Sequence, residues 1–199
     1  MIMRTIEFLF DFASPNCYVA LAKIDELLRK NTKLEVAYLP VLLGGLFKLT
    51  SDAPIPTGSH EFNYMENNLR RLSKKLDVDF RFSRSRFPVN SLKAMRGYYL
   101  AQTSEKGAQY LHSIFRACWG NDLDISDLLI LQKEIRAMGL DAQEFAEFIE
   151  KEETKQQLKE DTQRAFDRGV FGTPTFFFDG QMYWGSPEIL WYLENEVLT

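Results

Sequence analysis

The stretch FASPNCY, Phe12 to Tyr18, decides how the rest of the chain is read. It follows the apolar run TIEFLF (5–10), which has strand character. It leads into a pattern in which Val19, Leu21, Ile24, Leu27 and Leu28 recur at three-to-four spacing until Asn31, the mark of a helix. Pro15 suits the first helical position, where its missing N–H would be unpaired in any case, and Ser14 stands where an N-cap belongs. With a cysteine at 14 the segment would read Cys-Pro-Asn-Cys, a dithiol redox motif at a helix N-terminus. A serine there cannot be the redox thiol. It can donate a hydrogen bond to a thiolate from another molecule, held in the field of the helix dipole and the free N–H groups.

Working outward, KLEVAYLP (33–40) alternates Leu34, Val36 and Tyr38 and stops at a proline, so the chain starts β-α-β. Gly44, Gly45, Pro54 and Pro56 punctuate an expected loop. Phe62, Met65, Leu69, Leu72 and Leu76 then step along one helix face. Asn90 or Ser91 can cap a helix carrying Leu92, Met95 and Tyr99, and another carries Leu111, Ile114, Phe115 and Cys118. Ser126 can open a helix ending at Gly139, and Asp141 with Glu144 forms a capping-box-like start to the next. Near the end, TFFFDGQMYWG (175–185) reads as two short strands about Asp179-Gly180, and a last helix begins near Pro187. The order β-α-β, helices, β-β-α is that of an α/β thioredoxin-like fold with a large all-helical insertion. The expected division is a discontinuous thioredoxin-like domain over 1–42 and 168–199 and an inserted helical domain over 43–167.

At 199 residues the chain can bury a substantial core. Its net charge of −4 offers no general attraction to nucleic acid or an anionic membrane. The N-terminal run holds Arg4 and Glu7, unlike a secretory signal, and no uncharged run approaches the roughly 20 residues of a membrane span. Cys17 and Cys118, far apart in sequence, are expected to stay reduced in the cytoplasm. His60 and His112 have no metal-ligand spacing, so no metal is expected.

Three segments, FLFDFASPNCY (8–18), FPVNS (87–91) and GVFGTPTFFFDGQMYWG (169–185), carry a resemblance over nearly the full length. The chain resembles the 2-hydroxychromene-2-carboxylate isomerases and kappa-class glutathione transferases, a branch of the DsbA-like thioredoxin superfamily. The resemblance implies glutathione as cosubstrate, with Ser14 matching the catalytic serine that hydrogen-bonds its sulfur. It implies that Thr173, before a cis-Pro174, meets the cysteinyl backbone of the tripeptide like an added strand, and that Asp52, Gly185 and Ser186 belong to the glutathione site. It further implies a small aromatic substrate and a homodimer. The chain departs from the family pattern at Asp52, where relatives carry Asn, at Glu61, where they carry Lys, and at Ser186-Pro187-Glu188, where a polar residue and Asp follow the glycine.

Each feature also has a plainer reading. Ser14 can serve only as an N-cap, and Cys17 reads as a buried apolar residue. Asn90 either orients the substrate or caps a helix. The basic run from Arg70 to Arg86 is a solvated face, unless Arg84 or Arg86 attracts an anionic substrate. Trp184 belongs to the hairpin or lines an apolar pocket. The expected activity is isomerisation of a 2-hydroxychromene-2-carboxylate-like catabolite, the alternatives being a glutathione transferase and a non-catalytic binding module.

Overall fold

The computed structural model describes residues 3–197. Met1, Ile2, Leu198 and Thr199, the outermost residues of the expected division, lie outside them. Strand β1 (Arg4–Phe10) is followed by helix α1 (Pro15–Lys30) and strand β2 (Leu34–Pro40). Seven helices come next: α2 (Leu43–Thr50), α3 (His60–Lys75), α4 (Leu92–Thr103), α5 (Gly107–Phe115), α6 (Leu128–Ala137), α7 (Ala142–Phe148) and α8 (Glu152–Asp167). The chain ends with the hairpin β3 (Thr175–Phe178) and β4 (Gln181–Trp184) and a short helix α9 (Ile189–Tyr192).

The sheet runs β2-β1-β3-β4, with β1 parallel to β2 and antiparallel to β3. In register, Phe8 lies beside Tyr38 on one side and Phe176 on the other. A central strand covered on both faces needs apolar residues on both. Accordingly Ile6, Phe8 and Phe10 enter the main core, while Leu9 joins Val41, Leu46, Ala165 and Val170 in a second cluster. The main core is continuous from the sheet into the helices: Phe12 packs on Phe115 with ring centroids 4.8 Å apart, and Phe10 on Tyr98 at 5.2 Å. Burying each of these phenylalanines contributes about 1.5–3 kcal/mol.

Two local expectations differ from the structure. Gly44 and Gly45 lie inside α2 rather than in a loop, because α2 packs on α8 so closely that a Cβ on Gly45 would stand 3.1 Å from Thr162 Cγ2. The cap of α6 is Asp127, whose carboxylate accepts the Leu129 N–H, not Ser126. Two further helices are capped by side chains as local rules lead one to expect: Asp141 accepts the N–H groups of Gln143 and Glu144, and Ser59 that of Phe62, whereas the Ser91 side chain makes no cap bond to α4.

Candidate functional site

Ser14 is the N-cap of the 16-residue helix α1, with Pro15 in its first turn. Its Oγ accepts the Cys17 N–H at 3.4 Å and donates to the Thr173 carbonyl at 3.1 Å. The turn before it is held from below. Asp11 is fully buried, and its carboxylate accepts the N–H groups of Ala13 at 2.9 Å and Leu43 at 2.7 Å. Burial pushes the Asp11 carboxyl up, against those two N–H groups and the Ser91 hydroxyl, which pull it down. Trp119 Nε1 donates to the Phe12 carbonyl at 2.8 Å, fixing the same turn from the helical side.

Facing this turn is the loop before β3, where the Thr173–Pro174 bond is cis, as the resemblance implies. The Thr173 carbonyl accepts the Ser14 hydroxyl, while its N–H makes no hydrogen bond within the described residues. Among the described residues Thr173 Oγ1 is buried without a partner at hydrogen-bonding distance. Burial pushes the Cys17 thiol up to about 12, with the Ser14 hydroxyl opposing this only in part. Cys17 is therefore a core residue, not a nucleophile.

A cavity of about 550 Å³ opens between the two loops. Ser14, Asp52 and Thr173 all line it. Its remaining walls are largely apolar, including Phe47, Ile55, Met65, Phe87, Phe171 and Trp184. Phe171 and Trp184 lie with ring centroids 4.6 Å apart. Gly172 allows this approach, since a Cβ there would meet Trp184 Nε1 at 2.6 Å.

The other expected site residues fall around this cavity or away from it. Gly185 follows Trp184 with φ of 118° and donates its N–H to the Pro174 carbonyl at 3.3 Å. Ser186 is outside the lining, where it donates to Glu188 and receives Asn68 Nδ2 at 3.5 Å. Asn90 accepts the Leu92 N–H at 3.2 Å and lines a groove beside the cavity. Arg84 and Arg86 do not line the cavity: Arg84 Nε donates to Glu66 at 2.8 Å, and Arg86 pairs with Asp122. Sequence reasoning missed Phe47, Ile55 and Met65 as cavity walls, and the second cis bond, Phe87–Pro88, that shapes another wall. The FPVNS segment was the one sequence signal for that last feature. Among the described residues no helix is long and apolar enough to cross a membrane, and no three His, Cys, Asp or Glu side chains are grouped to hold a metal ion.

A four-stranded mixed sheet, a helix N-terminus capped by the motif residue and a cis-proline loop facing it define a protein of the thioredoxin class. The DSBA-like thioredoxin domain family matches residues 5–191, and the chain belongs to that family. It is 27% identical over 201 residues to 2-hydroxychromene-2-carboxylate isomerase of Sphingobium xenophagum, covering 98% of each chain. To human glutathione S-transferase kappa 1 it is 28% identical over 213 residues, covering 97% of this chain and 92% of that one. Among solved structures, a selenomethionine 2-hydroxychromene-2-carboxylate isomerase superimposes with a TM-score of 0.84 at 23% identity, covering 96% of this chain and 92% of that one.

Proposed function

We propose that the protein is a glutathione-dependent isomerase acting on a small aromatic compound of the 2-hydroxychromene-2-carboxylate kind. The observation that carries this reading is the position of Ser14, a hydroxyl at a helix N-terminus that also lines a largely apolar cavity. The free N–H of Thr173 beside it suits the backbone of a tripeptide laid along the loop as an added strand. The relatives named above support the choice of glutathione and of isomerisation.

Glutathione supplies a thiolate nucleophile that adds to the substrate and leaves after bond rotation. The protein's own part is to make that thiolate available and keep the ring in place. Ser14 has a single hydroxyl proton, now directed at the Thr173 carbonyl. Swinging it to the incoming sulfur frees that carbonyl to accept from the tripeptide backbone. The N-terminal field of α1 favours the same negative charge. Phe47, Phe87, Phe171 and Trp184 form apolar walls that exclude water and cover a flat ring.

A hydrogen bond to a charged group is worth about 1.5–3 kcal/mol, which is roughly 1–2 pH units on the bound thiol. Ser14→Ala should raise that thiol's pKa by this amount, read from ultraviolet thiolate absorbance of the glutathione complex across pH. Superimposable curves for wild type and variant would reduce Ser14 to a helix cap. The kappa relative favours a second reading, conjugation of glutathione to an electrophile. Product analysis separates the two, since isomerisation returns free glutathione and conjugation consumes it. A cytoplasmic homodimer belongs to the same proposal, and sedimentation equilibrium tests the dimer.

A further inference from the structure

An aromatic carboxylate needs a cation, and the structure redirects the search for it. Arg84 is held by Glu66 and by Asn63 Oδ1 at 3.1 Å, and Arg86 by Asp122. Neither lines the cavity, and the one ionisable residue in the lining is Asp52. Beside the cavity runs a groove of about 270 Å³ lined by Lys48, Asn90, Ser91 and Leu92. Cavity and groove share three lining residues, Ala13, Gly44 and Val89. At this junction a Cβ on Gly44 would have nothing within 4 Å, so the space between cavity and groove is open beside that residue.

Lys48, in the last turn of α2, is exposed and makes no ion pair, side-chain hydrogen bond or ring contact among the described residues. Asp11 is the groove's one lining acid. It is fully buried, with one carboxylate oxygen taken by the Ala13 N–H and the other by the Leu43 N–H. Asp52 lines the cavity but not the groove, so it repels an anion from the cavity while Lys48 attracts it to the groove.

We propose that the substrate's anionic group leaves the aromatic cavity past Gly44 and is received by Lys48, with the Asn90 amide beside it. Lys48 is then the residue that selects a ring bearing a carboxylate over a neutral ring. The proposal rests on the aromatic substrate of the preceding section, but its test does not need glutathione.

The probes are 2-naphthoate and its neutral isostere 2-naphthamide, titrated calorimetrically with and without glutathione. Lys48→Gln should weaken naphthoate about three- to fivefold, as expected for an exposed charge pair, and leave naphthamide essentially unchanged. Added salt should weaken naphthoate binding to the wild type and lose that effect in the variant. Gly44→Leu, which narrows the junction, should weaken both probes. Arg84→Gln and Arg86→Gln should leave their ratio unchanged. The inference is overturned if naphthoate binding is indifferent to Lys48→Gln, if both probes lose equally in that variant, if either arginine variant reproduces the effect, or if wild type binds neither probe. Lys48-dependent naphthoate binding without any glutathione binding would sustain the inference and sink the proposed cosubstrate.

Discussion

At position 14 one oxygen has three neighbours with claims on it: the Cys17 N–H, the Thr173 carbonyl and, on the proposed reading, a bound sulfur. The first contact is a helix cap worth about 1 kcal/mol, and it survives whatever the hydroxyl proton does. The geometry can be tested without any substrate. The Ser14 hydroxyl accepts the Cys17 N–H across the first turn of α1, and Cys17 is fully buried with its thiol pushed up to about 12. Ser14→Cys places a second thiol at the cap, facing free N–H groups, so the introduced thiol should be the low-pKa attacking partner. Mild diamide oxidation should join it to Cys17, seen by mass spectrometry of the linked peptide, and the variant should gain weak insulin-reducing activity. Two free thiols surviving the treatment would mean that the side chains at 14 and 17 do not converge.

Among the elements, α4 shows how tightly the helices carry the site. It begins just after the cis Phe87–Pro88 wall of the cavity, and Gly97 lies near its middle. A Cβ on Gly97 would fall 2.2 Å from Phe145 Cε2 and 2.5 Å from Tyr110 Oη. Both rings are fully buried, and the Tyr110 hydroxyl is committed to the Ala94 carbonyl at 2.8 Å. On an open helix Gly→Ala would stabilise by roughly 1 kcal/mol. Here overpacking is expected to prevail, with a net loss of about 1–3 kcal/mol, seen as a lower urea midpoint at unchanged slope. A variant as stable as wild type would show that the α4, α5 and α7 contact is loose. Gly44, by contrast, faces open space, so an added side chain there meets no such clash.

For the whole molecule, the His112 and Asp25 pair ties α5 to α1 and should make stability depend on pH. His112 Nδ1 lies 2.7 Å from the Ala108 carbonyl, and Nε2 lies 3.0 Å from both Asp25 oxygens. Acceptors at both ring nitrogens call for two donors, which is the imidazolium form. The Asp25 hydrogen bond therefore raises the folded-state pKa above the ordinary 6.5, with burial opposing it. A raised histidine contributes stability that is complete below the unfolded pKa and is lost as pH rises through the folded one. The side chains are 44% and 30% exposed, so the effect should stay within about 1 kcal/mol. Melting temperature should fall slightly as pH rises above the ordinary histidine range, and His112→Gln should abolish that step. A step that persists in the variant would assign it to another group.

Local rules within a dozen residues determined much of this protein from sequence. Pro15 after Ser14 starts a helix because Pro15 lacks an N–H that would be unpaired in the first turn while the Ser14 hydroxyl accepts that of Cys17, and Asp179-Gly180 turns a hairpin because both can adopt positive φ, here 48° and 77°. The order of strands and helices then leaves few ways to cover a sheet, so the fold was legible too. The cavity was legible only at Ser14, Asp52, Thr173 and, as one of two readings, Trp184. Its walls come from segments around residues 14, 47, 65, 87, 171 and 184, and no periodicity reports which distant side chains will share a space. Charge partners were hidden for the same reason. Arg84 and Arg86 look available in sequence, yet Glu66 lies 18 residues and Asp122 36 residues away along the chain and only the packed structure brings them together. Lys48 looks unremarkable in sequence, and only the tertiary structure leaves it beside the site without a partner among the described residues. An ion pair depends on proximity in space, and proximity between separate elements is settled when the core packs.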